Sequence, residues 1–354
     1  MTGNPEPPYL ELVDTLIEHW KGLSVPMSKD SAESKGAPRS PGEPATQRAY
    51  LLFNRWEGNP LAEDLELQFP KWARDRFTVP DRQFEDRAEH APFVLELPEE
   101  LILLASDFQS QGLCNWLARC LAFSAHQVKK RTLAQDFCGV VISPASARAI
   151  THHWVSLGDQ RPPHGEESVL FRYHDPRVMQ RVWSALSAFQ QSRWLGPVTH
   201  WWSLLQPWGP FSDTSEPVQW FHAKAPVLSC GAEAGGSARD LFDEAQWFLA
   251  GTSPQANLIW RSYADNNVPS EAQPDPDNLM LMLADAARMK LEELNLEDYV
   301  WITWMHAPKS GPARALDWSL PHLSPTLSRI EAQLQDDPDA RFSSLFANAT
   351  RPRR

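Results

Sequence analysis

The sequence predicts an α/β N-terminal lobe, a mixed sheet flanked by helices, followed by a mainly α-helical C-terminal lobe. Three observations carry this. Apolar runs bounded by turn-forming residues recur at 49–54, 91–98, 137–143 and 167–173, and they alternate with stretches of helical spacing. Beyond Ser237 the apolar spacing is helical nearly throughout. Between the two regions the chain turns rich in Pro, Gly and Trp, which marks a connection. The resulting divisions are a leading helix and flexible linker (1–47), the α/β lobe (48–205), the connection (206–236) and the helical lobe (237–354).

In chain order, Leu10, Val13, Leu16, Ile17 and Trp20 fall on one face of a helix over 9–23. Residues 28–47 carry almost no apolar side chain and read as a flexible linker. "AYLLFN" (49–54) and "APFVLELP" (91–98) read as strands, with charged, Pro-interrupted sequence between them. Residues 101–130 turn helical, with Cys114, Leu117, Cys120 and Leu121 at spacings of three and four. "FCGVVIS" (137–143) is the next strand, and a helix with Pro in its first turn and Gly at its end follows. A strand over 167–173 runs into a helix over 175–194. A strand near 199–205 precedes a turn, and "VQWFHA" (218–223) pairs with it. Four helices then fill 238–335, and Trp301 and Trp304 lie on one face of the third as core residues.

Composition narrows the function. A net charge of -12 argues against a nucleic-acid backbone as the main partner. No apolar run reaches the length of a membrane span, and "MTGNPEPPYLELVD" lacks a signal-peptide pattern, so a cytoplasmic protein with no membrane insertion is expected. Cys114, Cys120, Cys138 and Cys230 form no C-x-x-C pair and read as reduced thiols. The chain carries 16 Trp against 5 Tyr, and Trp serves equally as core residue and interface anchor.

"LFRYHDPRVM" (170–179) is the densest cluster of polar chemistry. His174 beside Asp175 suggests an acid/base pair, yet neighbours on a strand point to opposite faces. A structural reading explains more. Asp175 stands where a helix N-cap belongs, Pro176 supplies the fixed φ of the first helical position, and Arg172 and Arg177 can fork onto carboxylates. Arg172, Tyr173, His174, Asp175 and Arg177 are therefore read as a structural latch or a partner-binding corner. No phosphate loop, G-x-S-x-G elbow or H-E-x-x-H motif is present. His152 and His153 are adjacent on a helix, cannot face one metal together, and read as an exposed pair. No catalytic residue, cofactor or metal site is expected, and the chain is not expected to be an enzyme.

Around this corner the sequence resembles the type VI secretion effector chaperones, also called adaptor proteins. In that family a strand ends in a "RFYDPRVL"-like sequence, a helix follows, and a later "GP" precedes an aromatic-rich strand. Arg172, Tyr173, Asp175, Pro176, Arg177 and Val178 match, His174 is inserted, and Met179 replaces an aliphatic residue. Gly196 and Pro197 supply the "GP", with Trp201 and Trp202 after it. The resemblance extends over about 48–335 and is strongest over 167–202. One departure is "LLFNRWEGN", where the family's first strand ends in an Asp-Gly-Ala-like turn. The resemblance implies an adaptor that binds a toxic effector, through the effector's N-terminal region, and helps load it onto the spike protein VgrG, with or without a PAAR-type tip. Trp194, Trp201, Trp202 and Trp208 are the candidate partner-surface aromatics, with at most one of Trp201 and Trp202 facing outward because side chains alternate along a strand. The alternatives are an immunity protein that neutralises a toxin, or a hydrolase using His174 and Asp175.

Overall fold

A computed structural model describes residues 7–23, 46–99, 108–132, 135–163, 167–210, 218–227, 240–291, 293–307, 316–321, 323–337 and 339–350. Residues 28–45 of the linker expected over 28–47, and Cys230, lie outside the described residues. These residues form two compact units, one within Met1–Gln206 and Ser215–Ser253, the other within Pro207–Thr214 and Pro254–Arg354.

The first unit is built on a six-stranded sheet. Its strands are β1 (Arg48–Phe53), β2 (Phe77–Thr78), β3 (Phe93–Glu96), β4 (Phe137–Ser143), β7 (His200–Leu204) and β8 (Trp220–Lys224). They lie in the order β2-β3-β1-β4-β7-β8, and every neighbouring pair is antiparallel. Because side chains alternate along a strand, each face needs its own cover. Leu51, Phe53, Phe93, Leu95, Val140, Ile142, Trp202 and Leu204 share one buried cluster with α1 (Pro7–Leu23), α2 (Pro60–Gln68) and α4 (Phe108–Lys129). Tyr50, Leu52, Val94, Val141, Trp201 and Ala223 share the other with α5 (Ala147–Gly158), α6 (Pro176–Trp183) and α7 (Ala188–Leu195). Each fully buried aliphatic or aromatic side chain contributes about 1.5–3 kcal/mol, so the sheet's two apolar faces hold the layers together. The single turn α3 (Pro70–Ala73) follows α2.

A bulge bends β4 against β1: Leu52 pairs with Gly139, but Phe53 pairs with Phe137. Gly139 has φ 135° there, and a Cβ would come within 2.2 Å of the Trp202 carbonyl oxygen. The position therefore requires glycine.

Two expectations over 167–194 need correction. The strand expected over 167–173 is only β6 (Val169–Leu170), exposed and paired with β5 (Asp159–Gln160) in a separate two-stranded ribbon. Phe171 leaves that ribbon to bury its ring against Trp194 and Phe242, which ends the strand. The single helix expected over 175–194 is two helices. Ser187 starts α7 with a capping box, its side chain bonding to Gln190 N while Gln190 reaches back to Ser187 N. That local cap interrupts an otherwise continuous helical pattern.

The C-terminal region is helical. It comprises α8 (Glu244–Asp265), α9 (Pro276–Arg288), α10 (Glu293–Met305), α11 (Ser324–Asp336) and α12 (Phe342–Thr350). Residues of α8 up to Ser253 belong to the first unit and those from Pro254 to the second. Within the second unit, Tyr299, Trp318 and Phe342 pack ring against ring. Trp304 is buried and donates Nε1–H to the Ala272 carbonyl at 2.7 Å, while Trp301 stacks on Tyr263, so both serve packing as expected. No helix among the described residues is long and apolar enough to cross a membrane.

Candidate functional site: the Arg172–Arg177 corner

The corner lies in a turn between β6 and α6. Tyr173 N bonds to the Phe171 carbonyl and Asp175 N to the Arg172 carbonyl, so His174 and Asp175 do not alternate as strand residues. Asp175 caps α6 as expected. Its Oδ1 accepts from Arg177 N at 3.0 Å, and Pro176 occupies the first helical turn.

The same carboxylate takes a forked bond from the Arg177 guanidinium, with Nε at 2.9 Å from Oδ1 and Nη2 at 2.5 Å from Oδ2. Both residues are buried, 2% and 4% exposed. Burial by itself pushes the Asp175 carboxyl up, but Arg177, through charge and hydrogen bonding, and then Arg172 and His174 bring it below its ordinary value. Burial likewise opposes the Arg177 charge, and Asp175 more than restores it. Nη1 of Arg177 reaches on to the Thr132 carbonyl at 2.9 Å, beyond the end of α4. Arg177 thus faces inward and ties α6 to the segment that leads into β4. Arg172 is the outward member. Its side chain is about 40% exposed, with Nη2 at 3.9 Å from Asp175 Oδ2.

His174 binds elsewhere. Its Nε2 lies 2.7 Å from Oδ1 of Asn54, just past the end of β1. Burial, with Arg172 and Arg177 adding to it, pushes the imidazole down to about 3 against the opposing pull of Asp175, so the ring is neutral and Nε2–H donates. Nδ1 is then a buried acceptor with no hydrogen-bond partner among the described residues. The bond joins two departures from the adaptor pattern: the inserted His174 contacts the unusual turn that follows β1. Tyr173 is buried beside Trp154, with its hydroxyl unpartnered among the described residues and its pKa raised by burial. An imidazole at about 3 is a weak base at neutral pH, far below the value suited to general-base catalysis there.

Three of the proposed partner-surface aromatics are corrected. Trp194 and Trp201 are 0% exposed and Trp202 is 9% exposed. Alternation does send Trp201 and Trp202 to opposite faces, but helices cover both faces. Trp208 is half-buried and packs edge-on against Trp260. The histidine pair is corrected too. His152 is exposed, but His153 packs against Gly196 and its Nε2 lies 3.2 Å from the Trp194 carbonyl. Cys114, Cys120 and Cys138 are free thiols, the last two buried.

One constellation was not legible in the sequence. His19 on α1, His200 on β7 and His222 on β8 bring one ring nitrogen each within 4.8 Å of one another. Three separate elements supply them, so no local spacing announces the group.

Residues 49–193 match the model of a family described as a domain of unknown function, DUF4123; no curated protein and no solved structure matches the chain. The matched segment starts in β1, contains the whole Arg172–Arg177 corner and ends in α7, so it is to that domain that this part of the chain is similar.

Proposed function

We propose that the protein is an adaptor, not an enzyme, that binds a type VI secretion effector in the cytoplasm and helps load it onto the VgrG spike. The observation that carries this reading is the match of 49–193 to the DUF4123 model, a segment that includes the "RYHDPRV" stretch on which the resemblance to effector chaperones rests. The chemistry of the corner is compatible with it: the carboxylate is occupied by a helix cap and a buried arginine, and the imidazole is held neutral. The effector's N-terminal region is the proposed cargo, and a PAAR-type tip accompanies VgrG where one is present. Arg172 offers the corner's exposed guanidinium, and the exposed apolar pair Val169 and Leu170 precedes it closely in the chain, on β6. A mixed apolar and arginine surface of this kind suits a protein contact.

Co-expression with the effector and spike protein encoded beside it tests the proposal. A complex that co-purifies through the effector's N-terminal region, and loss of effector delivery on deletion of the gene, are expected. Absence of any complex together with intact delivery would overturn the reading. Binding to the toxin's catalytic domain, with neutralisation of its activity, would replace it by an immunity function.

A further inference from the structure

We propose that His19, His200 and His222 form a binding site for one zinc ion, which fastens α1 to the β7–β8 end of the sheet. One ring nitrogen from each lies within 4.8 Å of the other two. Tetrahedral zinc with bonds of about 2.0–2.1 Å needs nitrogens roughly 3.4 Å apart, a spacing inside the 4.8 Å limit that these three already meet. Three imidazoles leave the fourth position for water.

The surroundings prepare the rings as ligands. The Thr199 hydroxyl gives its proton to the Ile142 carbonyl at 2.9 Å, with Gln47 Oε1 also in reach at 3.2 Å, so its oxygen is the acceptor for His200 Nδ1–H at 3.0 Å. That fixes the tautomer of His200 and leaves its Nε2 lone pair free, the outer-shell support that ligating histidines ordinarily have. Nε2 of His19 and of His222 are buried with no hydrogen-bond partner among the described residues. Trp202 stacks on His222 at 4.0 Å and 13°, holding the ring in place, and meets His19 edge-on. An all-imidazole donor set suits zinc and disfavours magnesium and calcium, which take oxygen ligands. Lys224 is the opposing charge; it is exposed on β8, opposite His200 in register, where an ammonium repels a bound cation.

The site is independent of the adaptor reading, because it concerns the seating of α1 and not cargo. Zn²⁺ titrated calorimetrically into chelator-treated full-length protein at neutral pH is expected to bind one per chain and to raise the thermal midpoint, while Mg²⁺ does neither. Co²⁺ in its place gives the intense visible absorption of a tetrahedral site. His19→Gln and His222→Gln each weaken Zn²⁺ binding by more than the about 10–100-fold that loss of an outer-shell partner costs, and Lys224→Gln tightens it. The exposed group Glu57, Glu89 and His90 is the competing site. Binding that survives the histidine variants and is lost in Glu89→Gln overturns the proposal, as does the absence of stoichiometric Zn²⁺ binding. Should the histidine variants fail to fold, the Co²⁺ spectrum of the wild type decides, a weak octahedral spectrum overturning the assignment.

Discussion

The carboxylate of Asp175 caps α6 through Oδ1 and grips the Arg177 guanidinium with both oxygens. Both ions are out of water, so removing one leaves the other uncompensated, at a cost of about 3–5 kcal/mol. Arg177→Met is therefore expected to lower the urea midpoint steeply. Replacing both ions together, as Asp175→Leu with Arg177→Met, recovers much of that loss, because no buried charge remains; the missing cap still costs about 1 kcal/mol. If the double variant is as unstable as the sum of the singles, the pair is not the coupled unit described. Arg172 differs because its side chain is about 40% exposed and 3.9 Å from the carboxylate. Arg172→Glu is expected to change stability by roughly 1 kcal/mol or less and to weaken effector binding. A folded Arg172→Glu protein with undiminished binding, by pull-down or calorimetry, would remove Arg172 from the interface. The sequence carried the cap and the Arg177 fork, since Asp-Pro-Arg is a local pattern, whereas the fork expected of Arg172 is a single approach at 3.9 Å. It could not say which arginine turns inward, because the carbonyl that Arg177 reaches belongs to Thr132.

At the scale of elements, the strands buried on both faces were legible because 49–54 and 137–143 are continuous apolar runs bounded by turn residues, and no side chain of β4 is exposed. The failures lie where tertiary packing or a cap overrides the run: Phe171 leaves its strand for a ring cluster, and Ser187 restarts a helix. Trp201 and Trp202 mislead for a related reason, since alternation gives the two faces but not whether a helix covers each. The Gly196–Pro197 step between α7 and β7 shows what such a connection demands. Gly196 has φ 57° and ψ -116°, and a Cβ there would fall 2.3 Å from His153 Nε2. The Pro197 carbonyl accepts from the Ser143 hydroxyl at 2.6 Å, which seats the turn against the end of β4. Gly196→Ala must strain the backbone and push away a ring bonded to the Trp194 carbonyl. A loss of roughly 1–3 kcal/mol or more is expected, read from thermal or urea unfolding. Ser187→Ala, which removes only the capping box, costs about 1 kcal/mol. If Gly196→Ala unfolds at the wild-type midpoint, the close approach to His153 does not constrain the turn.

For the molecule as a whole, the response to acid follows from groups that the fold holds neutral or charged against their ordinary tendency. His174 is buried and takes up a proton only near pH 3, whereas in the unfolded chain it titrates near 6.5. Between those values the unfolded state binds more protons, so stability falls as pH falls. The loss attached to this one group is about 3 kcal/mol by pH 4, a large fraction of the roughly 5–15 kcal/mol that stabilises a typical domain. Asp175 acts later. Its folded value is depressed, so its contribution is fully present above the ordinary carboxylate value of 3.8 and disappears only as pH falls through the lower folded one. Acid should therefore weaken the first unit in two stages, histidine first and carboxylate second. His174→Gln separates them, because a glutamine amide can still donate to Asn54 Oδ1 but does not titrate. Urea unfolding at pH 7 and pH 4 is expected to show a smaller loss in the variant than in the wild type, by about 3 kcal/mol. The slope that remains in the variant belongs to other histidines lowered by burial, His153 among them. If variant and wild type lose stability equally between those two pH values, the corner's imidazole is not what acid attacks.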